Sequence, residues 1–283
     1  MSAGTKTRIF IVGAGYVGTR TAQLLGEHGH SVSTGRRSAA GVPGAYTMDA
    51  MRPDTFPDAL READCVIYTV AADGFSEDAY RKAYVTGLAN TVDALRGTRA
   101  RRLITVGSTG VYGQEDGSIV DEDSPAQPRG FSGRMLLEGE AVAAASPLES
   151  TTIRFSGIYG PGRERLVKMV RSGAPVGEGA RAAITNRIHR DDCARALVHL
   201  VERPAVAPLY LGTDEAPTAL GEILDWIAHR LGLPSLPVGG PDADSPQRGG
   251  SKRLSSARLR DEGFAFRYPT YREGFAALID AGA

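Results

Sequence analysis

The sequence predicts an α/β fold built on a parallel sheet doubly wound by helices, and three observations predict it. Short apolar runs at 9–12, 65–70, 103–106 and 151–155 are each bounded by turn residues. Runs of that length read as strands buried on both faces of a parallel sheet. Helical patterns separate them, the longest at 77–95 with Tyr80, Tyr84, Leu88, Val92 and Leu95 on one stripe. Finally, the first run breaks on Gly13, and a helical pattern through Val17, Ala22, Leu24 and Leu25 follows at once.

The chain has 283 residues, room for one large domain or two joined ones. Its 33 Lys and Arg balance 33 Asp and Glu, so charge gives no reason to expect nucleic acid or an anionic membrane as partner. No apolar run is long enough to span a bilayer, and residues 1–6 are small and polar, so a cytoplasmic protein is expected. Cys65 falls in a predicted strand and Cys193 in a predicted helix. Both are expected as buried thiols, with no disulfide and no metal site.

The strand, the turn Gly13-Ala14-Gly15-Tyr16-Val17-Gly18 and the helix stand in the order that binds a dinucleotide. Gly13 permits the tight turn, Gly15 the approach of a pyrophosphate, and Gly18 the closing of helix on strand. The amino end of the helix, at Tyr16 and Val17, suits an anion. A second strand at 31–34 runs into Gly35-Arg36-Arg37, and no Asp or Glu occurs between Glu27 and Asp49. An acidic residue here would hold the ribose 2′-hydroxyl of NAD, whereas arginine accommodates the 2′-phosphate of NADP. Arg36 and Arg37 therefore favour NADP(H), with NAD(H) as the other possibility, and a solvated turn is the structural alternative.

A short strand at 45–47 precedes Asp49, which fits either an adenine contact or an ordinary turn. A helix is expected at 54–63, and Ala71-Ala72 at the end of the next strand leave room for a ribose. Residues 99–102 read as a solvated basic turn. Ser108 lies just past a strand's carboxyl end, at the ligand-binding rim of an open α/β sheet. Residues 114–130 read as a surface loop, 133–145 as a helix and 232–250 as a mobile Pro- and Gly-rich connection. Asp191 or Asp192 is expected to cap a helix, and Thr270-Tyr271-Arg272-Glu273 to form a capping box.

Four motifs in order resemble the short-chain dehydrogenase/reductase superfamily, in its extended epimerase/dehydratase branch. They are Gly13-Ala-Gly-Tyr-Val-Gly18, Ser108-Thr-Gly-Val-Tyr-Gly113, Arg154-Phe-Ser-Gly-Ile-Tyr-Gly-Pro-Gly162 and Ile188-His-Arg-Asp-Asp192. The resemblance implies a Rossmann-type domain over 1–159 and a smaller substrate domain over 160–283, with 188–212 returning to the first. It also implies a small polar substrate, of carbonyl, alcohol or sugar-like kind, and a monomer or homodimer. The family's Tyr-x-x-x-Lys pair, a proton shuttle with its tuning lysine, has no counterpart: no tyrosine occurs between Tyr112 and Tyr159. The positions counted back from Glu140 hold Ser132 and Leu136, and those from Glu138 hold Gly130 and Arg134. The glycine turn is also tighter than the branch's usual G-x-x-G-x-x-G, and Tyr84 stands in place of a common asparagine.

Candidates for the remaining chemistry are Ser108 as a carbonyl hydrogen bonder, Tyr84, Tyr159 after the sixth strand, and His189, which ordinarily titrates near neutral pH. Each has a structural alternative: a loop-closing serine, core tyrosines, a scaffold histidine. Arg154 reads as structural, and Arg187 as either a substrate anion's partner or a surface residue. Two functions follow: an NADP(H)-dependent oxidoreductase or epimerase-like enzyme with a rebuilt acid–base site, or a non-catalytic NADP(H)-binding redox sensor.

Overall fold

The computed structural model describes residues 6–39, 44–239 and 251–282. In chain order the elements are β1 (Arg8–Val12), α1 (Tyr16–Glu27), β2 (Ser31–Arg36), β3 (Ala45–Thr47), α2 (Asp58–Arg61), β4 (Cys65–Tyr68) and α3 (Glu77–Tyr80). A π-helical segment (Arg81–Thr86) joins α3 to α4 (Gly87–Ala94), followed by β5 (Arg102–Ser108), β6 (Ile119–Val120), α5 (Phe131–Ala144), β7 (Glu149–Phe155) and β8 (Gly157–Tyr159). Then come α6 (Arg165–Ser172), α7 (Glu178–Ala182), β9 (Ile184–Thr185), β10 (Arg187–His189), α8 (Arg190–Glu202), β11 (Leu209–Gly212), β12 (Thr218–Ala219), α9 (Leu220–Arg230), β13 (Arg253–Leu254), α10 (Ala257–Asp261) and α11 (Tyr271–Asp280).

Seven strands form one sheet in the order β3-β2-β1-β4-β5-β7-β11. The chain leaves β1 for β2 and β3 on one side, then returns to β4 on the other. That reversal opens a crevice at the carboxyl ends of β1 and β4. The central strands are buried along their length, as their unbroken apolar runs require: Ile9, Phe10, Ile11 and Val12 on β1, and Cys65, Val66, Ile67 and Tyr68 on β4.

The chain divides into two compact units, one of 1–111, 128–154 and 194–210, the other of 112–127, 155–193 and 211–283. The first has a core of Phe10, Val12, Leu60, Val66, Tyr68, Leu88, Leu95 and Leu103, among others. The second packs Tyr159, Leu166, Val170, Leu224, Ile227, Tyr271 and Phe275 together. The capping box opens α11 as expected. Cys65 and Cys193 are buried free thiols, and burial pushes the Cys65 thiol up to about 12.

Four local expectations are corrected. The helix expected at 54–63 is a one-turn 3₁₀ segment at Pro53–Thr55 and then the short α2, because Pro57 holds Phe56 out of helical geometry. The stretch at 77–95 is helical but holds a π segment, pinned where the buried Tyr68 hydroxyl donates to the Ala83 carbonyl at 2.6 Å. Arg102 is not a solvated turn residue. It lies buried on β5, forks onto Glu149 at 2.6 and 2.8 Å, and donates to the Leu200 and Arg203 carbonyls at the end of α8. Neither Asp191 nor Asp192 caps α8 from outside, because both lie in its first turn. The connection expected at 232–250 lies partly outside the described residues.

Candidate functional site

The turn after β1 is fixed by its neighbours on both sides. The Gly13 and Ala14 amides donate to the Gly35 carbonyl at the end of β2, at 2.8 and 3.3 Å. Thr69, just past β4, donates to the Gly13 carbonyl at 2.7 Å, and Thr19 to the Ala14 carbonyl at 3.0 Å. Gly13 has φ +88°, and a Cβ there would lie 2.7 Å from the Val70 amide nitrogen. A Cβ on Gly18 would lie 2.7 Å from the Thr69 hydroxyl. Gly15 is different: it is exposed, and a Cβ would meet nothing nearer than the Gly13 carbonyl at 3.8 Å. The turn is thus packed against protein at its first and third glycines and open at its second.

Helix α1 begins at Tyr16 with no side-chain cap and no acidic residue in its first turn. Its dipole therefore points an uncompensated positive end at the crevice. Val17 is buried under it and Tyr16 half-buried beside it. These features fit a dinucleotide pyrophosphate: an open glycine, a helix amino end without a side-chain cap or acidic residue, and carbonyls already engaged elsewhere.

Arg36 ends β2, half-buried, and Arg37 follows in solvent. Arg37 forks onto Asp73 in the segment after β4, at 2.6 and 2.5 Å. The hydrogen bond from Arg37 holds the Asp73 carboxyl below its usual range. Because β2 and β4 flank β1, this pair spans the mouth above the glycine turn. Asp49 accepts the Met51 amide at 2.9 Å, and its own amide donates to the Thr55 hydroxyl, so it shapes its loop. Ala71 is exposed and Ala72 half-buried at the end of β4.

The hydroxyl-bearing candidates of the first unit lie on elements that each pack against α5. The helix packs on both the π segment and the turn at 109–111, and the Gly139 Cα lies against the Tyr84 backbone with no room for a Cβ. Ser108 Oγ accepts the Gly110 amide at 3.1 Å, so it closes its own turn and keeps its hydrogen to donate. Burial raises the pKa of the Tyr84 phenol; it stays protonated with a hydrogen to give. Helix α5 itself reads Phe-Ser-Gly-Arg-Met-Leu-Leu-Glu-Gly-Glu-Ala-Val-Ala-Ala, without tyrosine or lysine. Glu140 on it holds the buried Arg154 in a fork at 2.6 and 2.9 Å, the structural role expected of that arginine.

Tyr159 and His189 belong to the second unit, where they come together. Tyr159 stacks on Phe275 at 4.5 Å and meets the His189 edge at 5.3 Å. Its hydroxyl is buried without a partner among the described residues, over Gly274. His189 lies 4.1 Å from the Tyr268 ring, and its Nδ1 accepts the Asp191 amide at 3.1 Å, so the imidazole caps α8. Burial, outweighing the nearby Asp191 charge, lowers its pKa to about 4. The expectation of titration near neutrality is therefore corrected by desolvation. Asp192 receives the Arg267 and Tyr268 amides at 2.8 and 2.9 Å, anchoring the chain before α11.

Sequence reasoning missed Gly35, Thr69 and Asp73. Gly35 has a local signal, a glycine within a strand, which often marks close approach; a Cβ there would lie 2.6 Å from Met48 Sδ. Thr69 and Asp73 carry none, because their roles depend on β2 and β4 flanking β1. Among the described residues no His, Cys, Asp and Glu cluster could hold a metal, and no helix is long and apolar enough to cross a membrane.

The chain belongs to the NAD dependent epimerase/dehydratase family, whose sequence profile matches residues 9–210. It is 30% identical to protein YeeZ of Escherichia coli strain K12 over 277 residues, covering 93% of this chain and 96% of the relative. It is 28% identical to a Streptomyces 3-diazoavenalumate denitrifying reductase, covering 80% of this chain and 82% of that one. Among solved structures, a candidate NAD-dependent epimerase/dehydratase from Methylobacillus flagellatus superposes with TM-score 0.80 at 37% identity, over 98% of this chain and 99% of the other. MoeE5, solved with UDP-glucuronic acid and NAD, shares the fold with TM-score 0.80 at 22% identity, over 95% and 96%. Family membership supports NAD(H) binding and makes oxidoreductase or epimerase chemistry the expected kind of activity.

Proposed function

We propose that the chain is an NAD(P)(H)-dependent oxidoreductase that reduces a small carbonyl or comparable electrophile, with NADP(H) its preferred coenzyme. The observation that carries this reading is the turn after β1, packed at Gly13 and Gly18 and open at Gly15. There the pyrophosphate would be held by the amino end of α1 at Tyr16 and Val17. Arg36 would reach the 2′-phosphate; Arg37, engaged by Asp73, would have to leave that pair to join it. Ala71 and Ala72 would border the ribose, and Asp49 the adenine.

When bound, the reduced nicotinamide supplies a hydride. The protein's part is to orient the acceptor and provide a proton. Ser108 would donate its hydroxyl hydrogen to the substrate oxygen, and the Tyr84 phenol, protonated at neutral pH, would deliver the proton. Tyr84 would thereby replace acid assistance that a Tyr-x-x-x-Lys pair gives in other members, a contribution of about 10²–10⁴-fold. The reductase activity named for the Streptomyces relative supports reductive chemistry. Tyr159 and His189 enter this reading as shapers of the second unit rather than as proton carriers, since both groups are buried and His189 Nδ1 is engaged.

The test is turnover. Purified protein with NADPH or NADH and a panel of aldehydes, ketones and diazo compounds should consume the coenzyme, and Tyr84→Phe should lower kcat by about 10²-fold or more with little change in coenzyme affinity. Tight coenzyme binding without turnover of any compound would favour the second reading, a dinucleotide-responsive sensor, which the tyrosine- and lysine-free α5 supports.

A further inference from the structure

Four aromatic rings gather on the first unit outside its hydrophobic core. Phe75 lies between β4 and α3, Tyr80 ends α3, Tyr84 lies in the π segment and Phe131 opens α5. Phe75 meets Phe131 at 5.0 Å and Tyr80 at 5.8 Å; Tyr80 meets Phe131 at 5.6 Å and Tyr84 at 5.3 Å. Two of these pairs are edge-on, at 90° and 88°. None of the four belongs to the buried cluster of Phe10, Val66 and Leu103, and Phe75 is 55% exposed. A ring that large on a surface needs a reason when it continues into a cluster.

The cluster's place supplies one. Phe75 is on the segment that also carries Ala71, Ala72 and the Asp73 partner of Arg37, at the carboxyl end of β4. Ligands of open α/β sheets bind outside those strand ends, at the switch point. The innermost ring is Tyr84, tilted against Tyr80 and backed by Gly139 of α5. The rings thus run outward from the half-buried Tyr84 to the exposed Phe75. The border is polar, with Asp73, Ser76 and the Arg81–Glu138 ion pair at 2.7 Å.

We infer that Phe75, Tyr80 and Phe131 form a subsite for an aromatic ring of the substrate, placing an unsaturated centre attached to that ring beside the Tyr84 hydroxyl. This rests on the proposed oxidoreductase reading and narrows its substrate class to arylated compounds. Edge-on and tilted ring pairs are the arrangement aromatic groups prefer, and a further planar ring extends them.

The test is calorimetric titration of the full chain, with and without saturating NADP⁺, using trans-cinnamyl alcohol and its saturated counterpart 3-cyclohexylpropan-1-ol, with UDP-glucose as the sugar-nucleotide probe. The aromatic alcohol should bind several-fold tighter than the saturated one, and Phe75→Ala and Phe131→Leu should each weaken it about fivefold. Coenzyme affinity should stay unchanged in both variants. Equal affinity for the two alcohols, or tight UDP-glucose binding indifferent to Phe75→Ala, overturns the subsite. So does a dimer in sedimentation velocity that Phe75→Ala dissociates, because the rings would then join two copies. If neither coenzyme binds the wild type, the oxidoreductase reading fails separately, while the preference between the alcohols is still read without coenzyme.

Discussion

The turn after β1 and the Tyr159–His189 cluster differ in what each leaves over. The turn is made of residues with almost no chemistry, yet its carbonyls are engaged by Thr69 and Thr19 and its helix carries neither a side-chain cap nor an acidic residue in its first turn. The cluster contains a histidine, a tyrosine and two aspartates, the residue types expected of an active site. Its histidine caps α8, Asp192 holds the chain before α11, and its tyrosine is stacked in the core. The site is marked by an open surface beside an uncapped helix end more than by reactive residue types.

Substitutions in the cluster should therefore act on stability and leave coenzyme binding alone. Gly274→Ala forces a methyl group onto the Tyr159 hydroxyl. It should destabilise the fold by about 1–3 kcal/mol, read as a drop in Tm with unchanged coenzyme affinity. A loss of affinity at equal stability would contradict the contrast.

The second prediction uses pH. His189 is buried with its pKa lowered to about 4, so between about 4 and its ordinary 6.5 the unfolded chain binds the extra proton. Stability from this group is then full above 6.5 and is lost as pH falls, by about 1 kcal/mol per unit. Asp214, which burial pushes up to about 8 against the opposing pull of Arg187, has the opposite slope over that range. The measurable quantity is the difference between wild type and His189→Asn, which keeps an acceptor for the Asp191 amide but cannot titrate. Wild type should lose ground to the variant as pH falls from 6.5 to 4, by chemical denaturation; a pH-independent difference would return His189 to the titrating candidates.

The smallest effects concern the crevice mouth. Arg36→Ala should weaken NADP(H) by about tenfold and NAD(H) much less, since an arginine accommodates only the 2′-phosphate. Asp73→Asn should release Arg37 and shift the ratio a few-fold toward NADP(H), about the worth of an exposed ion pair. Equal effects on both coenzymes in both variants would remove the 2′-phosphate assignment.

The same contrast explains what could be read from the chain alone. The strands and the glycine turn were legible because apolar period and the strand–turn–helix order are local. The π segment around Tyr84 was not, because the Tyr68 hydroxyl that pins it is 15 residues away in sequence. Arg102 looked like one of a run of solvated basic residues until α8 brought its carbonyl end over β5. The cap of α8 was misplaced because two aspartates are the commoner signal, and the imidazole before them takes the role.

Dinucleotide binding at the turn after β1 depends most directly on Gly15, where a side chain has room in the protein but none beside a pyrophosphate. Both coenzymes should be titrated calorimetrically into wild type and Gly15→Ala, with thermal unfolding of each. Wild type should bind NADP(H) or NAD(H) with a dissociation constant below about 1 mM, and Gly15→Ala should lose about tenfold or more in affinity at unchanged Tm. Equal affinity in the two proteins, or no binding by wild type, would contradict that dependence.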